Sequence, residues 1–206
     1  MTALYNPLEP DHVRLLRFTD STGLHANISE HSVRDAPPYA CLSYVWGEED
    51  GLLDTDDTPY VVVNGHPSRV QRNLLEALAT LGKVVVSENL HFWVDRICIN
   101  QSDLDERAKQ VKLMKLLYEE AKRVLAWTGA ANAETDFLAC RMLSTIGSFS
   151  RQLLNMTRTR PTLDWLLRLI RASPEFHEAS TELILKSWAA MIALLKRPYW
   201  ARTWIH

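Results

Sequence analysis

Apolar and polar positions alternate in short blocks over the first 129 residues and then change to a purely helical spacing. Short apolar runs bounded by Gly, Pro, Asn, Asp and Ser are typical of β-strands. They predict a hairpin that turns at 19–23 and a tight turn at Asn64-Gly65. The predicted strands cover 13–18, 24–28, 40–45, 60–63, 91–95 and 124–127.

Two helices are predicted between the later strands. Leucines at helical spacing predict one helix over 71–81, with Gly82 as its stop. The second helix begins after Asp103, and Glu106, three residues on, is placed to close a capping box. Strands separated by amphipathic helices favour a mainly parallel sheet flanked by helices. The buried stripe of the second helix is expected to consist of Val111, Met114, Tyr118 and Ala121.

Beyond residue 129 the spacing of apolar residues predicts helices alone, at 134–149, 162–172 and 178–196. Pro161 and Pro174 break the pattern between them. We interpret 130–196 as an all-helical insertion attached to the α/β part.

The composition fits a globular protein and argues against several classes of partner. With 206 residues, 47% hydrophobic and 23% charged, the chain suits one domain that buries a sizeable core. The net charge is −2 and no Lys/Arg stripe stands out, so no nucleic-acid partner is expected. The N-terminus does not resemble a signal segment, and the late apolar run 188–195 is too short to span a bilayer. We therefore expect no membrane partner and a cytoplasmic location.

Several standard sites are not supported by the sequence. The glycine motifs that bind dinucleotides or phosphates do not occur, and neither does a nucleophile elbow. The His and Cys residues do not have the spacing of metal ligands, so no metal is expected. Cys41, Cys98 and Cys140 form no C-x-x-C pair, which predicts free thiols in a reducing compartment. We interpret Cys98 as a small core residue rather than a nucleophile.

The candidate chemistry lies where two predicted strands end, because ligands of open α/β sheets collect at the carboxyl ends of strands. Polar groups that suit a sugar nucleotide follow both strands. They are Ser43, Tyr44, Trp46 and Gly47 at the end of the strand predicted over 40–45, and Asp95, Asn100 and Gln101 at the end of the strand predicted over 91–95. A structural role competes with the functional one at three residues: Asp95 as a brace of its own loop, Trp46 as a core residue, and Glu106 as a capping partner.

Three ordered blocks resemble the fungal heterokaryon-incompatibility (HET) domain. They read Y-A-C-L-S-Y-V-W-G at 39–47, W-V-D-x-I-C-I-N-Q-x-D-x-x-E-R at 93–107 and R-P-Y-W-A-R-T-W-I at 197–205. The resemblance covers most of the chain and implies a role in triggering cell death after non-self recognition in a filamentous fungus. It also implies a single domain over 1–206, with an N-terminal hairpin at 1–38, an α/β core at 39–129, the helical insertion at 130–196 and a final core helix at 197–206.

The first block, continued to Asp50, is also similar to the first strand and following loop of TIR domains. This resemblance implies a TIR-like, flavodoxin-like core and hydrolysis of NAD at its nicotinamide–ribose bond. In such enzymes a Glu on the last helix is the catalytic carboxylate, and this chain ends at His206, before the expected Glu. We therefore expect a truncated chain that is impaired in hydrolysis.

The polar groups at the strand ends, taken together with the resemblances, give a set of expected site residues. Asp95 and Glu106 are the candidate catalytic carboxylates. NAD enters as a substrate, so no cofactor is expected, and we expect the protein to self-associate. The alternative is a non-enzymatic signalling module that works through self-association. The expected nucleotide contacts are Ser43, Tyr44, Trp46, Gly47, Asn100, Gln101 and Arg202.

Overall fold

The computed structural model describes residues 4–46, 58–149 and 163–201, so Gly47 and Arg202 of the expected site lie outside the described residues. The chain divides into two compact units, Met1–Ala130 and Ala131–His206. The first is a mixed α/β unit and the second is helical.

The described part of the first unit contains one sheet, three α-helices and a 3-10 turn at Val33–Asp35. The strands are β1 (His12–Phe18), β2 (His25–Ser32), β3 (Tyr39–Tyr44), β4 (Tyr60–Val63), β5 (His66–Arg69), β6 (His91–Trp93) and β7 (Arg123–Trp127). The helices are α1 (Arg72–Ser87), α2 (Asp95–Cys98) and α3 (Leu104–Glu120).

The sheet has the strand order β5-β4-β2-β1-β6-β3-β7. The β6-β3-β7 part is parallel, as is the β2–β4 pair, whereas β1 pairs antiparallel with both β2 and β6. The predicted N-terminal hairpin is confirmed. Because that hairpin enters the sheet beside β6, the sheet is mixed and the prediction of a mainly parallel sheet is not confirmed.

Strand β3 lies at the centre of the first core, and all six of its residues are buried. Helix α3 packs against this strand through two tyrosine hydroxyls. The Tyr39 hydroxyl donates to the Leu117 carbonyl at 2.8 Å, and the Tyr118 hydroxyl donates to the Leu42 carbonyl at 3.0 Å. These reciprocal bonds fix the C-terminal half of α3 over β3.

Two predicted element boundaries need correction, and one predicted cap is confirmed. Helix α1 does not stop at Gly82 but runs to Ser87, because Gly82 lets the helix approach the backbone of Gly23. The strand predicted over 91–95 ends at Trp93, and Asp95 begins α2 instead. Asp103 caps α3 as predicted, accepting from the Asp105 and Glu106 amides.

The predicted stripe of α3 is confirmed for Met114, Tyr118 and Ala121, which pack partly buried against the core, but not for Val111. Val111 is 56% exposed, and Leu117 is fully buried in its place. Glu106 and Gln110 are also buried on that face. Buried polar side chains are mostly hydrogen-bonded within the protein. Glu106 accepts from Arg14, and the Gln110 side-chain nitrogen donates to the His12 carbonyl, while the buried Gln110 side-chain oxygen has no hydrogen-bond partner among the described residues. The spacing of apolar residues along one helix carries no information about such distant partners.

The second unit contains the helices α4 (Ala133–Ser148), α5 (Leu163–Arg171) and α6 (Thr181–Leu195), followed by a 3-10 turn at Pro198–Ala201. Asn132 and Ser180 cap α4 and α6. The Arg197 guanidinium contacts the Asp136 carboxylate at 2.7 Å and so ties the third sequence block to the start of α4. Over the residues that the structure describes, no helix has both the length and the apolar character needed to cross a membrane. The core of this unit consists of Ala139, Met142, Ile170, Phe176, Ile184, Ala190 and Met191.

Candidate functional site

The carboxyl ends of β3, β6 and β7 meet at one edge of the sheet, because these three strands run parallel. The Trp46 indole Nε1, just beyond β3, donates to Oδ2 of Asp95, just beyond β6, at 2.8 Å. Asn73, at the start of α1, donates to the Val45 carbonyl at 2.7 Å and accepts from the Trp127 indole Nε1 at 2.8 Å. We call Trp46, Asn73, Asp95 and Trp127 the edge cluster.

Asp95 is the only carboxylate of the edge cluster, and it is half-buried. Its Oδ1 accepts from the Arg96 amide at 2.7 Å, while the Gln101 side chain donates to the Asp95 carbonyl at 2.9 Å. Both carboxylate oxygens therefore have donors within the protein, and Gln101 folds its own loop back onto the start of α2. This arrangement brings together Trp46, Asp95 and Gln101 of the predicted site.

Ser43 and Tyr44 lie deeper than the sequence suggested. Ser43 is 7% exposed and pairs with Ala126 in the sheet, and Tyr44 is 1% exposed within the first core. Tyr44 thus contributes chiefly to packing. A hydroxyl so near the end of an apolar strand looks like a ligand contact in the sequence, but the strand continues through it.

Glu106 belongs to a buried ion pair. Its Oε1 accepts from Arg14 Nη1 at 2.6 Å and from the Asn100 amide at 2.7 Å, and its Oε2 accepts from Arg14 Nη2 at 3.0 Å. The side chains of Arg14 and Glu106 are only 5% and 9% exposed. The predicted capping box is wrong, since the Asp103 amide donates to the Asn100 carbonyl instead. This geometry favours a structural role for Glu106 over its candidate catalytic role.

The sequence patterns did not predict a role for Arg14 or Asn73 near the site. Arg14 stands between the buried residues Val13 and Leu15 on β1 and is itself 4% exposed. A charged residue flanked by Val13 and Leu15 was the available signal, because a charge in such a position is rarely buried without a partner. Asn73 gave no comparable signal, since amides at helix starts are common.

The Cys98 thiol is fully buried beside these groups. Burial, the largest cause, raises its pKa to about 12, so it remains a thiol at neutral pH. Its sulfur accepts from the Val94 amide at 3.4 Å. A neutral, buried thiol is a poor nucleophile, which agrees with the interpretation of Cys98 as a core residue.

An open groove of about 570 Å³ lies between residues 7–11 and the first turns of α3. Glu106 and Gln110 line it, but the edge cluster does not. Across the described ranges, no three His, Cys, Asp or Glu residues are grouped so that they could hold a metal ion.

These features fit the comparisons with known proteins. The model of the family described as heterokaryon incompatibility protein (HET) matches residues 39–206, and the chain belongs to this family. The chain is 28% identical over 209 residues to heterokaryon incompatibility protein 6, OR allele, of Neurospora crassa. That alignment covers 94% of this chain and 29% of the relative, so the chain spans under a third of the relative's length. No solved structure matches the chain.

Proposed function

We propose that this chain is an effector domain that triggers cell death after non-self recognition in a filamentous fungus. Membership of the HET family and the name of the Neurospora crassa relative support this role. We further propose that the domain has a TIR-like core and acts on NAD, cleaving the nicotinamide–ribose bond at the edge cluster.

The observation that carries the biochemical part is the hydrogen bond between Trp46 and Asp95 at the carboxyl ends of β3 and β6. This edge of a parallel sheet is where α/β folds bind nucleotides. An Asp carboxyl group is ordinarily ionised at neutral pH. The two donors to Asp95, the Trp46 indole and the Arg96 amide, hold that charge in one orientation.

The proposed reaction needs a fixed negative charge and a water molecule. The C1′–N1 bond of NAD breaks, and nicotinamide leaves with its electron pair. Positive charge then develops on the ribose ring, and the Asp95 carboxylate stabilises it electrostatically. Water adds to C1′ and releases a proton to the solvent, which gives ADP-ribose. Trp46 acts through Asp95 as a positioning residue, because its donor fixes one carboxylate oxygen.

The binding step is tested by adding NAD to the ¹⁵N-labelled protein and following the indole N–H resonances of its tryptophans. We expect the Trp46 resonance to shift, because its acceptor Asp95 faces the bound ligand. Trp188 of α6 is the matched control, since it packs against the core of the helical unit. An unchanged Trp46 resonance at saturating NAD would favour the alternative, a signalling module that acts by self-association. Sedimentation at increasing protein concentration then tests that alternative.

A further inference from the structure

Residues 1–38 form the N-terminal segment, which lies outside the part of the chain that matches the family model. This segment nevertheless contacts the candidate site. Strand β1 of this segment lies between β2 and β6 in the sheet. Its residue Arg14 is buried and points at the segment 95–101, which carries Asp95 and Gln101. We call this segment, which consists of α2 and the three residues after it, the site loop.

Arg14 contacts the site loop and its neighbours with both terminal guanidinium nitrogens. Nη1 donates to the Cys98 carbonyl at 3.2 Å and to Glu106 Oε1 at 2.6 Å. Nη2 donates to Glu106 Oε2 at 3.0 Å and to the Asn6 carbonyl at 2.5 Å. Glu106 Oε1 in turn accepts from the Asn100 amide at 2.7 Å. Arg14 thus holds the site loop at Cys98 directly and at Asn100 through Glu106.

A second residue of the N-terminal segment supports the same loop. The Tyr5 hydroxyl donates to the Ile97 carbonyl at 3.0 Å, and its ring lies 5.0 Å from the Arg14 guanidinium carbon. The guanidinium therefore has an aromatic ring on one side and charge-assisted hydrogen bonds in its plane. Such bonds are short and directional, so they define one loop geometry rather than many.

We propose that Arg14 is a positioning residue for the site loop, and that the N-terminal segment is an integral part of the functional site. Asp95 is the first residue of the site loop. Arg14, which lies outside the family match, holds this loop at Cys98 directly and at Asn100 through Glu106. The inference concerns the site of the proposed function, but its main test measures the loop and does not require the protein to hydrolyse NAD.

The test measures amide hydrogen exchange of the site loop in the full chain. In Arg14→Met, exchange at Cys98 to Asn100 is expected to accelerate roughly tenfold to hundredfold, as follows when charge-assisted hydrogen bonds are lost from a local opening equilibrium. Arg17→Met is the matched control on the same strand, because Arg17 makes an exposed hydrogen bond with Asn89. It is expected to leave the site loop unchanged.

A second variant keeps the test decisive if Arg14→Met fails to fold. Glu106→Gln preserves the size of the side chain and removes its charge, and it should accelerate exchange of the Asn100 amide. Arg14→Lys restores the charge without the planar fork and should rescue protection only in part. Unchanged site-loop exchange in a folded Arg14→Met or Glu106→Gln protein would overturn the proposal. If the wild type releases no nicotinamide, the proposed hydrolysis fails while the exchange result still decides the role of Arg14.

Discussion

The Trp46 indole Nε1 donates a 2.8 Å hydrogen bond to Asp95 Oδ2, across a separation of 49 residues in the chain. The bond joins the first two sequence blocks of the family at the carboxyl ends of neighbouring parallel strands. It makes the orientation of the Asp95 carboxylate depend on the end of β3.

Removing this donor should lower the stability of the fold and loosen the orientation of the Asp95 carboxylate. Trp46→Phe keeps one aromatic ring but loses the indole N–H, and we expect a loss of about 1–2 kcal/mol in the free energy of unfolding, since water can replace the donor only in part. Urea denaturation measures the difference. Trp200→Phe removes an indole donor at a more exposed position, 37% accessible, and should cost less. Equal losses in the two variants would show that the Trp46 bond has no special value.

The inward face of α3 provides a second prediction. Leu117 is fully buried beneath β3, so Leu117→Ala should destabilise the first unit by about 2–5 kcal/mol. Val111→Ala on the outer face should change stability by no more than about 0.5 kcal/mol. Thermal melts of the two variants distinguish this face from the stripe predicted by spacing alone. A larger loss at Val111 than at Leu117 would restore the original assignment.

Sequence patterns predicted most strands and the Asp103 cap, because each depends on residues close together in the chain. Strand β5 was missed, since His66–Arg69 contains a proline and forms only through antiparallel pairing with β4. The Arg14–Glu106 pair joins residues 92 positions apart, and no local pattern specifies such a partner. The edge cluster was predicted in part, through Trp46 and Asp95, while Asn73 and Trp127 depend on how α1 and β7 meet β3.

Gly82 is expected to resist a substitution that usually stabilises helices. A Cβ added there would lie 2.8 Å from the Gly23 Cα, so the backbone must move. We expect Gly82→Ala to destabilise the protein by about 1–3 kcal/mol despite the better helix propensity of alanine. Gly147 in α4 is the matched control, because a Cβ there meets nothing within 4 Å. Gly147→Ala should stabilise by about 0.5–1 kcal/mol. Calorimetric melts compare the two, and a stabilising Gly82→Ala would contradict the close helix contact.

The three thiols should differ in reactivity. Burial raises the pKa of Cys98 to about 12 and raises the pKa of Cys41 as well, so neither forms a thiolate at pH 8. Cys140 is exposed. We expect an aromatic disulfide reagent to label one thiol rapidly in the native protein and all three in denaturant. Only the thiolate reacts, so the labelling rate of Cys98 should increase as the pH is raised. Rapid native labelling of Cys98 at pH 8 would show that its pKa is not raised.

The most direct test of the proposed function is the rate of nicotinamide release from NAD by the wild type and by Asp95→Asn. We expect measurable release by the wild type and a loss on the order of 10²–10³ in the variant, the effect of removing one fixed charge from a developing cation. Asp164→Asn is the control, since that carboxylate is exposed on α5 and pairs with Arg168 in the helical unit. It should release nicotinamide at the wild-type rate. Equal release by wild type and Asp95→Asn, or none by a folded wild type, would contradict the assignment of NAD cleavage to Asp95.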